Sequence, residues 1–187
     1  MKSETERAIG DLERFMGTVE DALALPREAA GFIRALILGT GATRGLEIGT
    51  SYGYSALWSA SALAENGGRL VSIDVAPRKT EAARERIRAG GLADAVEFRT
   101  GPAERVLKEL DGPFDYVLND ADKENCKRYV ELIAERLTDR AVVLTDNTGT
   151  HAEELAGFVE WIRGRRDFVS VDVPLGNGME MSVKRSG

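Results

Sequence analysis

The chain has 187 residues, of which 43% are hydrophobic and 30% charged, which is the composition of a globular protein. A chain of this length can bury a hydrophobic core without disulfide bonds or a structural metal ion. Its formal net charge of -6 argues against a general nucleic-acid-binding protein, which needs a basic face to displace counterions from phosphates. Its single cysteine, Cys126, excludes an intrachain disulfide, and the charged N-terminus and short apolar runs argue against a signal peptide or membrane span, so we expect a cytoplasmic protein.

Two helices are predicted first, at residues 4–23 and 26–38, where apolar residues recur at helical spacing. After them, short continuous apolar runs alternate with helical stretches, which is typical of a parallel sheet covered by helices on both faces. The predicted strands are residues 45–49, 69–74, 95–98, 114–119 and 141–146, and the predicted helices are residues 54–65, 77–90, 102–110, 123–137 and 152–164.

The chain ends differently, with two strand-like runs at 167–174 and 179–184 joined by Leu-Gly-Asn-Gly. Asn177-Gly178 is a hairpin signal, so an antiparallel pair is expected to close the sheet. No repeat or linker interrupts this pattern. We therefore predict one α/β domain over residues 1–187, with N-terminal helices at 1–38 and the sheet core at 43–185.

A glycine loop, LEIGTSYGYSAL at residues 46–57, follows the first predicted strand. Gly49 and Gly53 allow a tight turn and leave room beside a ligand. Their spacing differs from the G-x-G-x-x-G of dinucleotide enzymes, which weakens a pyrophosphate interpretation. Glu47 lies inside the strand, where an unpaired carboxylate is costly to bury, and it therefore needs a polar partner or a ligand.

Asp74 ends the second predicted strand. A carboxylate at that position can accept both hydroxyls of an adenosine ribose, since ligands of open parallel sheets bind beyond the carboxyl ends of the strands. It can also cap the helix that begins near Pro77, and the two roles are compatible.

Acidic and amide side chains end the fourth and fifth predicted strands: Asp120 on one, and Asp146 with Asn147 on the other. If these strands are neighbours, two carboxylates and one amide oxygen meet at one rim, and such hard ligands suit Mg²⁺ better than zinc. Taken separately, each group is an ordinary cap or turn. Lys123 follows three residues after Asp120, where its chain can fold back over the site or stay on the surface.

Together, the segments LEIGTSYGYSAL, VSID, RTGPAERVL, FDYVLNDADKEN and LTDN resemble the cation-dependent S-adenosylmethionine O-methyltransferases of the catechol and caffeoyl-CoA type. The resemblance runs from about Leu25 to Lys184. It implies a Rossmann-like class I methyltransferase fold, a seven-stranded, mostly parallel sheet with an antiparallel C-terminal hairpin and helices on both faces. It also implies S-adenosyl-L-methionine and a divalent cation (Mg²⁺, or alternatively Mn²⁺ or Ca²⁺) as cofactors, a small phenolic acceptor, and a homodimer without nucleic-acid or membrane partners.

The matched positions imply a role for each site residue. Asp120, Asp146 and Asn147 are expected to bind the metal, and Lys123 is expected to be the general base. Asp120 and His151 are expected to contact the substrate, although His151 can equally be an ordinary residue at the start of a helix. The positions matched to the cofactor are Glu47, Gly49, Thr50, Gly53 and Ser55 for the methionine end and its loop, Asp74 for the ribose, Ala103 for the adenine region, and Asp122 on the cofactor side.

The sequence departs from the family pattern at three places. The chain reads Thr-Gly-Thr-His after Asn147, where relatives carry a loop that covers an aromatic substrate, so a shorter and more open acceptor site is expected. Cys126 replaces a usual tyrosine, and Asn119 replaces a usual apolar residue. Two other functions therefore compete with the enzyme hypothesis: a regulatory protein that binds the cofactor without efficient catalysis, and a nicotinamide-dependent dehydrogenase, which the glycine spacing disfavours.

Overall fold

The structure is a computed structural model that describes residues 3–22 and 24–187. The helices are α1 (Glu4–Met16), α2 (Arg27–Thr40), α3 (Tyr54–Glu65), α4 (Pro77–Ala89), α5 (Ala103–Glu109), α6 (Cys126–Ile133) and α7 (Ala152–Gly164). The strands are β1 (Arg44–Ile48), β2 (Arg69–Asp74), β3 (Val96–Thr100), β4 (Phe114–Asn119), β5 (Leu137–Asp146), β6 (Phe168–Val173) and β7 (Met179–Lys184).

The seven strands form one sheet in the order β3-β2-β1-β4-β5-β7-β6. The five strands β1 to β5 pair in parallel, while β7 pairs antiparallel with both β5 and β6. The predicted fold class is thereby confirmed, including the antiparallel hairpin at the C-terminus. The strand order reverses between β1 and β4, which is where open α/β sheets bind ligands.

Each face of the sheet carries its own hydrophobic cluster. On one face, buried side chains of α1, α2 and α3 pack on alternate residues of the strands, such as Leu70 and Leu118. On the other face, buried side chains of α5, α6 and α7 pack on the intervening residues, such as Leu46 and Val117. Since both faces are covered, the central strands β1, β4 and β5 are buried over most of their length, as the continuous apolar runs in the sequence indicated.

Two predicted boundaries are wrong. The helix expected at 4–23 ends at Met16, where Gly17 caps it, and residue 23 lies outside the described residues. The helix expected at 123–137 is shorter: a single turn at Lys123–Asn125 leads into α6, another turn at Ala134–Arg136 follows, and β5 already starts at Leu137.

The early start of β5 has a physical reason. Leu137 pairs with Phe114 of β4, and the register then shifts before Val142 pairs with Tyr116. Arg140 adopts a left-handed conformation (φ 63°) between the two pairs, which accommodates the extra residues in a bulge. The polar residues of this bulge are exposed, so the sequence at 138–140 resembles a loop.

Within residues 3–22 and 24–187, none of the helices combines the length and the apolar character needed to cross a membrane.

Candidate active site

A cavity of about 990 Å³ opens at the carboxyl ends of β1, β2, β4 and β5. Nine of the predicted site residues line it: Gly49, Asp74, Ala103, Asp120, Asp122, Lys123, Asp146, Asn147 and His151. Thr50 and Ser55 line a smaller adjoining pocket that shares Gly49 and Asp120 with the cavity. Gly53 precedes α3, and Glu47 lies buried inside β1.

The glycine loop passes extremely close to the end of β4. A Cβ atom at Gly49 would lie 2.1 Å from the carbonyl oxygen of Asp120, and Gly49 has a φ of 106°, which L side chains rarely adopt. The amide of Asp120 in turn donates to the carbonyl of Ile48 (2.9 Å). The backbones that carry Gly49 and Asp120 are therefore fixed relative to each other at the rim of the cavity.

Gly49→Ala is expected to destabilise the protein by at least about 3 kcal/mol, because backbone strain and a backbone clash add together. Gly41→Ala is the matched control: Gly41 is also left-handed (φ 68°), but no atom lies within 4 Å of a Cβ there. The control should cost about 1 kcal/mol. Chemical unfolding measures both values, and equal costs would show that the contact with Asp120 does not constrain the loop.

Asp74 is held by backbone amides on both of its carboxylate oxygens. The amide of Ser51 in the glycine loop donates to Oδ2 (2.7 Å), and that of Ala76 donates to Oδ1 (2.8 Å). The second bond closes a turn before α4, whose N-cap is Ala76 without a side-chain cap bond, so the helix-capping role considered from the sequence is wrong; the side chain lines the cavity. Each oxygen keeps a lone pair with which to accept a further hydrogen bond.

Glu47 is fully buried on the same sheet face as Ser72, its neighbour in the register of β1 and β2. The hydroxyl of Ser72 donates to Oε2 of Glu47 and lies 2.5 Å from the hydroxyl of Thr50. The other oxygen, Oε1, has no hydrogen-bond partner. Burial raises the pKa of Glu47 to about 7, against the hydrogen bonds of Ser55 and Ser72, which lower it. Oε1 of this buried acid therefore lacks a donor or a cation.

Glu47→Gln is expected to stabilise the protein at pH 8 by up to about 3 kcal/mol and to have little effect at pH 5. The pKa of Glu47 is raised from 4.5 to about 7, so the folded state holds the extra proton, and the stability of the wild type falls as the pH rises through this range. The glutamine cannot ionise, so the variant does not lose stability as the pH rises through this range.

Unfolding by urea at several pH values measures the effect of Glu47→Gln. Glu109→Gln is the control, since Glu109 is an exposed carboxylate at the end of α5. If the two variants show the same pH dependence, Glu47 is not the buried acid that this interpretation requires.

Asp120, Asp146 and Asn147 meet at the ends of β4 and β5, because Asn119 and Thr145 are partners in the parallel register. Nδ2 of Asn147 donates to Oδ1 of Asp120 (2.9 Å) and to Oδ2 of Asp146 (2.6 Å). Asn147 adopts a left-handed conformation (φ 70°), which turns its side chain back to the strand ends. The two carboxylates are thus brought together across a single amide group.

One carboxylate of this arrangement, that of Asp146, is incompletely paired. Asp146 is 1% exposed, and its Oδ1 is buried without a hydrogen-bond partner. Burial raises the pKa of Asp146, and the charge of Asp120 raises it further. Burial likewise raises the pKa of Asp120, against the nearby Lys123.

A divalent cation fits these features, since it would occupy the unpaired oxygen and offset the repulsion between the carboxylates. Among the described residues there is no group of three or more histidine, cysteine or acidic side chains arranged for a metal. The donor set at this rim is instead two carboxylates and one amide oxygen, which leaves coordination positions for water or an acceptor and suits Mg²⁺.

Lys123 lies beside the paired carboxylates. Its Nζ is 3.1 Å from Oδ1 of Asp120, and its side chain is 13% exposed. Asp122, the next cavity residue, accepts a hydrogen bond from the hydroxyl of Tyr129 (2.6 Å). His151 lies at the N-terminal end of α7, where its Nδ1 is 2.8 Å from Oε1 of Glu154, so its side chain borders the cavity from the solvent side.

The two departures from the family pattern beside this site contact each other. Asn119 is fully buried, and its Nδ2 donates to the carbonyl of Cys126 (3.1 Å) and to Oγ1 of Thr145 (3.4 Å). Cys126 is also buried, and burial raises the pKa of its thiol to about 12. The hydrogen bond from Asn119 to Cys126 therefore links the end of β4 to the start of α6, and both buried side chains pack beneath the cavity.

Asn177, Ala24 and Tyr129 are among the cavity residues that sequence reasoning missed. Asn177 was interpreted only as part of a hairpin turn, yet its carbonyl accepts the amides of Gly149 (2.9 Å) and Thr150 (3.1 Å) beside the cavity. Ala24 lines both pockets from the connection between α1 and α2. Tyr129 lines the cavity from α6. The hairpin signal at 177–178 was visible in the sequence, but the contact that it makes across the fold was not.

The chain resembles known proteins over most of its length. A family model described as O-methyltransferase matches residues 3–157. A catechol O-methyltransferase of Mycobacterium tuberculosis (strain ATCC 25618 / H37Rv) is 39% identical over 133 residues, which are 68% of this chain and 60% of the relative. Caffeoyl-CoA O-methyltransferase 1 of Zea mays is 35% identical over 150 residues, which are 75% of this chain and 58% of the relative. The chain thus spans less than two thirds of these relatives.

Solved structures match nearly the whole chain. An O-methyltransferase from Bacillus cereus in complex with S-adenosylhomocysteine superposes with a TM-score of 0.85 at 26% identity, covering 99% of this chain and 92% of that one. The O-methyltransferase TomG from Streptomyces achromogenes, in complex with S-adenosylmethionine, superposes with a TM-score of 0.84 at 28% identity, covering 100% of this chain and 91% of that one.

Proposed function

This chain belongs to the O-methyltransferase family, and from that membership we propose that it transfers a methyl group from S-adenosylmethionine to a hydroxyl of a small catechol-like or phenolic acceptor. The observation that carries the proposal is the position of Asp120. Its backbone abuts Gly49 of the glycine loop, while its carboxylate contacts Lys123 and Asn147. Asp120 therefore joins a cofactor side and an acceptor side within one cavity.

On the cofactor side, Asp74 binds the ribose through the free lone pairs of its carboxylate. Gly49, Thr50 and Ser55, with Gly53 in the same loop, surround the methionine end, and the ammonium group of the methionine supplies the charge that buried Glu47 lacks. Ala103 and Asp122 border the adenosine. The two solved relatives that hold S-adenosylmethionine or S-adenosylhomocysteine support this assignment.

On the acceptor side, Asp120, Asp146 and Asn147 would hold a divalent cation, Mg²⁺ before Mn²⁺ or Ca²⁺. The carboxamide of Asn147 would present its oxygen in place of the Nδ2 that now bridges the carboxylates. When bound, the cation makes a neighbouring acceptor hydroxyl more acidic and fixes its orientation.

Lys123 acts as the general base. Its Nζ accepts the proton of the acceptor hydroxyl, and the oxygen forms a bond to the methyl carbon as the bond from that carbon to the sulfonium breaks, with its electron pair passing to sulfur. The cavity contributes alignment of the oxygen with the methyl group, which is the main requirement of such a displacement. His151 contacts the acceptor from the solvent side.

A second candidate function is a regulatory protein that binds the cofactor without efficient methyl transfer. The observation in its favour is the short connection from Asn147 to α7. The amide of Thr148 donates to the carbonyl of Gly178 (3.1 Å), and Gly149 and Thr150 bond to Asn177, so the connection lies against the β6–β7 hairpin. A segment held in this way offers less cover for an acceptor than a long loop would.

Calorimetric titration with S-adenosylmethionine and a panel of phenolic acceptors separates the two candidates. The enzyme proposal predicts cofactor binding and methylated product with at least one vicinal diol. Binding without product across the panel would favour the regulatory function, and the absence of binding would contradict both.

We also propose a homodimer in the cytoplasm. The sequence suggested that the first helix serves either a partner subunit or its own core. Ala8, Ile9 and Leu12 of α1 are buried against the chain's own α3 and α4, so a dimer has to use other surfaces. Light scattering of the purified protein measures its mass, and a mass of about one chain would contradict the dimer.

A further inference from the structure

The connection between α1 and α2 forms part of the wall of the candidate cofactor site. Ala24 lines both the main cavity and the smaller pocket, and Met16, at the end of α1, lines the smaller one. Leu25 is buried in the core. The position of Ala24 therefore depends on how the residues before it are held.

Asp21 anchors this connection through three contacts. The hydroxyl of Tyr52 donates to Oδ1 of Asp21 (2.9 Å), and a guanidinium nitrogen of Arg78 donates to Oδ2 (2.9 Å). Nζ of Lys79 donates to the backbone carbonyl of Asp21 (2.9 Å). Arg78 also donates to the hydroxyl of Tyr52 (2.9 Å), which closes the group into a ring of hydrogen bonds.

These partners lead to the cofactor contacts already described. Tyr52 belongs to the glycine loop, and it follows Ser51, whose amide holds the carboxylate of Asp74 (2.7 Å). Arg78 and Lys79 lie in the first turn of α4, shortly after Asp74. Asp21 thus ties the segment between α1 and α2 to the glycine loop and to the first turn of α4, which flank the candidate ribose site.

Tyr52 is a rigid attachment point. It is 3% exposed, and its ring packs edge-on against Phe15 at 5.2 Å between centroids. The guanidinium of Arg86 lies 4.2 Å from the centroid of Phe15 and 5.4 Å from that of Tyr52. A hydrogen bond to a side chain fixed in this way positions its acceptor more strongly than a bond to a mobile surface side chain.

We propose that Asp21 is a positioning residue for S-adenosylmethionine: it ties the α1–α2 connection to Tyr52 and α4 and so keeps Ala24 against the bound cofactor. This inference rests on the proposed function. Exposed ion pairs alone contribute little, and Arg78 is mostly exposed. The effect is therefore assigned chiefly to the charged hydrogen bond from the buried Tyr52, and loss of the anchor is expected to weaken cofactor binding about fivefold to twentyfold.

The test compares Asp21→Asn with Asp11→Asn. Asp11 is an exposed residue of α1 that pairs with Arg14, so the control removes one nearby carboxylate without touching the anchor. Calorimetry gives the dissociation constant of S-adenosylhomocysteine, and steady-state kinetics with catechol gives kcat and both KM values. Asp21→Asn should raise the dissociation constant and the KM for S-adenosylmethionine, while kcat, the KM for catechol and the Tm stay close to those of the control.

Three results would overturn the inference, each for a different reason. If the wild type does not bind S-adenosylhomocysteine, the proposed function fails and the anchor with it. If the wild type binds and both Asp21→Asn and Tyr52→Phe bind equally well, the anchor alone fails. A decrease in kcat and Tm together with an increase in both KM values would show a general structural role instead. Tyr52→Phe adds a check: it removes the same hydrogen bond, so its effect should not add to that of Asp21→Asn.

Discussion

Asp146→Asn is expected to lower kcat/KM for methyl transfer about a thousandfold and to abolish the response to divalent cations, because the loss of one charged ligand removes most of the electrostatic contribution of the cation. The substitution preserves shape at a position that is 1% exposed. It also removes a buried negative charge that Asp120 repels, so the cation-free protein should be at least as stable as the wild type at pH 8.

Titration with Mn²⁺ or Mg²⁺, followed by kinetics with catechol, measures this effect. Asp139→Asn is the matched control, since Asp139 lies on the same strand but is exposed and distant in sequence from the rim. The control should behave as the wild type. If Asp146→Asn keeps the cation dependence of the wild type, Asp146 is not a ligand.

Lys123→Met is expected to lower kcat by about a hundredfold to ten-thousandfold while the affinity for S-adenosylmethionine stays the same, because a positioned general base contributes that much to proton transfer. Lys123 also lowers the pKa of Asp120, so its loss favours the protonated carboxyl group and weakens cation binding. The kinetics therefore require saturating Mg²⁺, which separates the loss of the base from the loss of the cation.

Lys127→Met is the control for Lys123→Met. Lys127 lies on α6 with its side chain about half exposed and faces Glu131 at 3.9 Å. Its removal should leave kcat unchanged. A kcat for Lys123→Met within a fewfold of the control would exclude Lys123 as the base, and a matching loss of cofactor affinity would assign it to binding.

The sheet was predictable because its strands are buried on both faces and therefore appear as continuous apolar runs. The meeting of Asp120 with Asp146 was also predictable, since residues at equivalent ends of neighbouring parallel strands must come together. The bulge of β5 was not, because Asp139 and Arg140 are polar and exposed, and only the pairing of Leu137 with Phe114 shows that the strand starts early.

The contacts that shape the site could not be predicted from one sequence. The glycine spacing indicated a tight loop, but the close approach of Gly49 to the carbonyl of Asp120 depends on two segments 71 positions apart. The same holds for Asp21 and Tyr52, which are 31 positions apart. In each case the local sequence specifies a turn or a charge, and the partner is set by tertiary packing; for Gly49 and Asp120 it is the pairing of β1 with β4.

Transfer of a labelled methyl group from S-adenosylmethionine to catechol, measured with Mg²⁺, after chelation with EDTA, and after Mg²⁺ is restored, tests the proposed activity most directly. We expect labelled methoxyphenol with Mg²⁺, its loss with EDTA, and its return with the cation. Product formation that is unaffected by EDTA would contradict the role of Asp120, Asp146 and Asn147 as cation ligands, and no product from a protein that binds the cofactor would contradict catechol methylation itself.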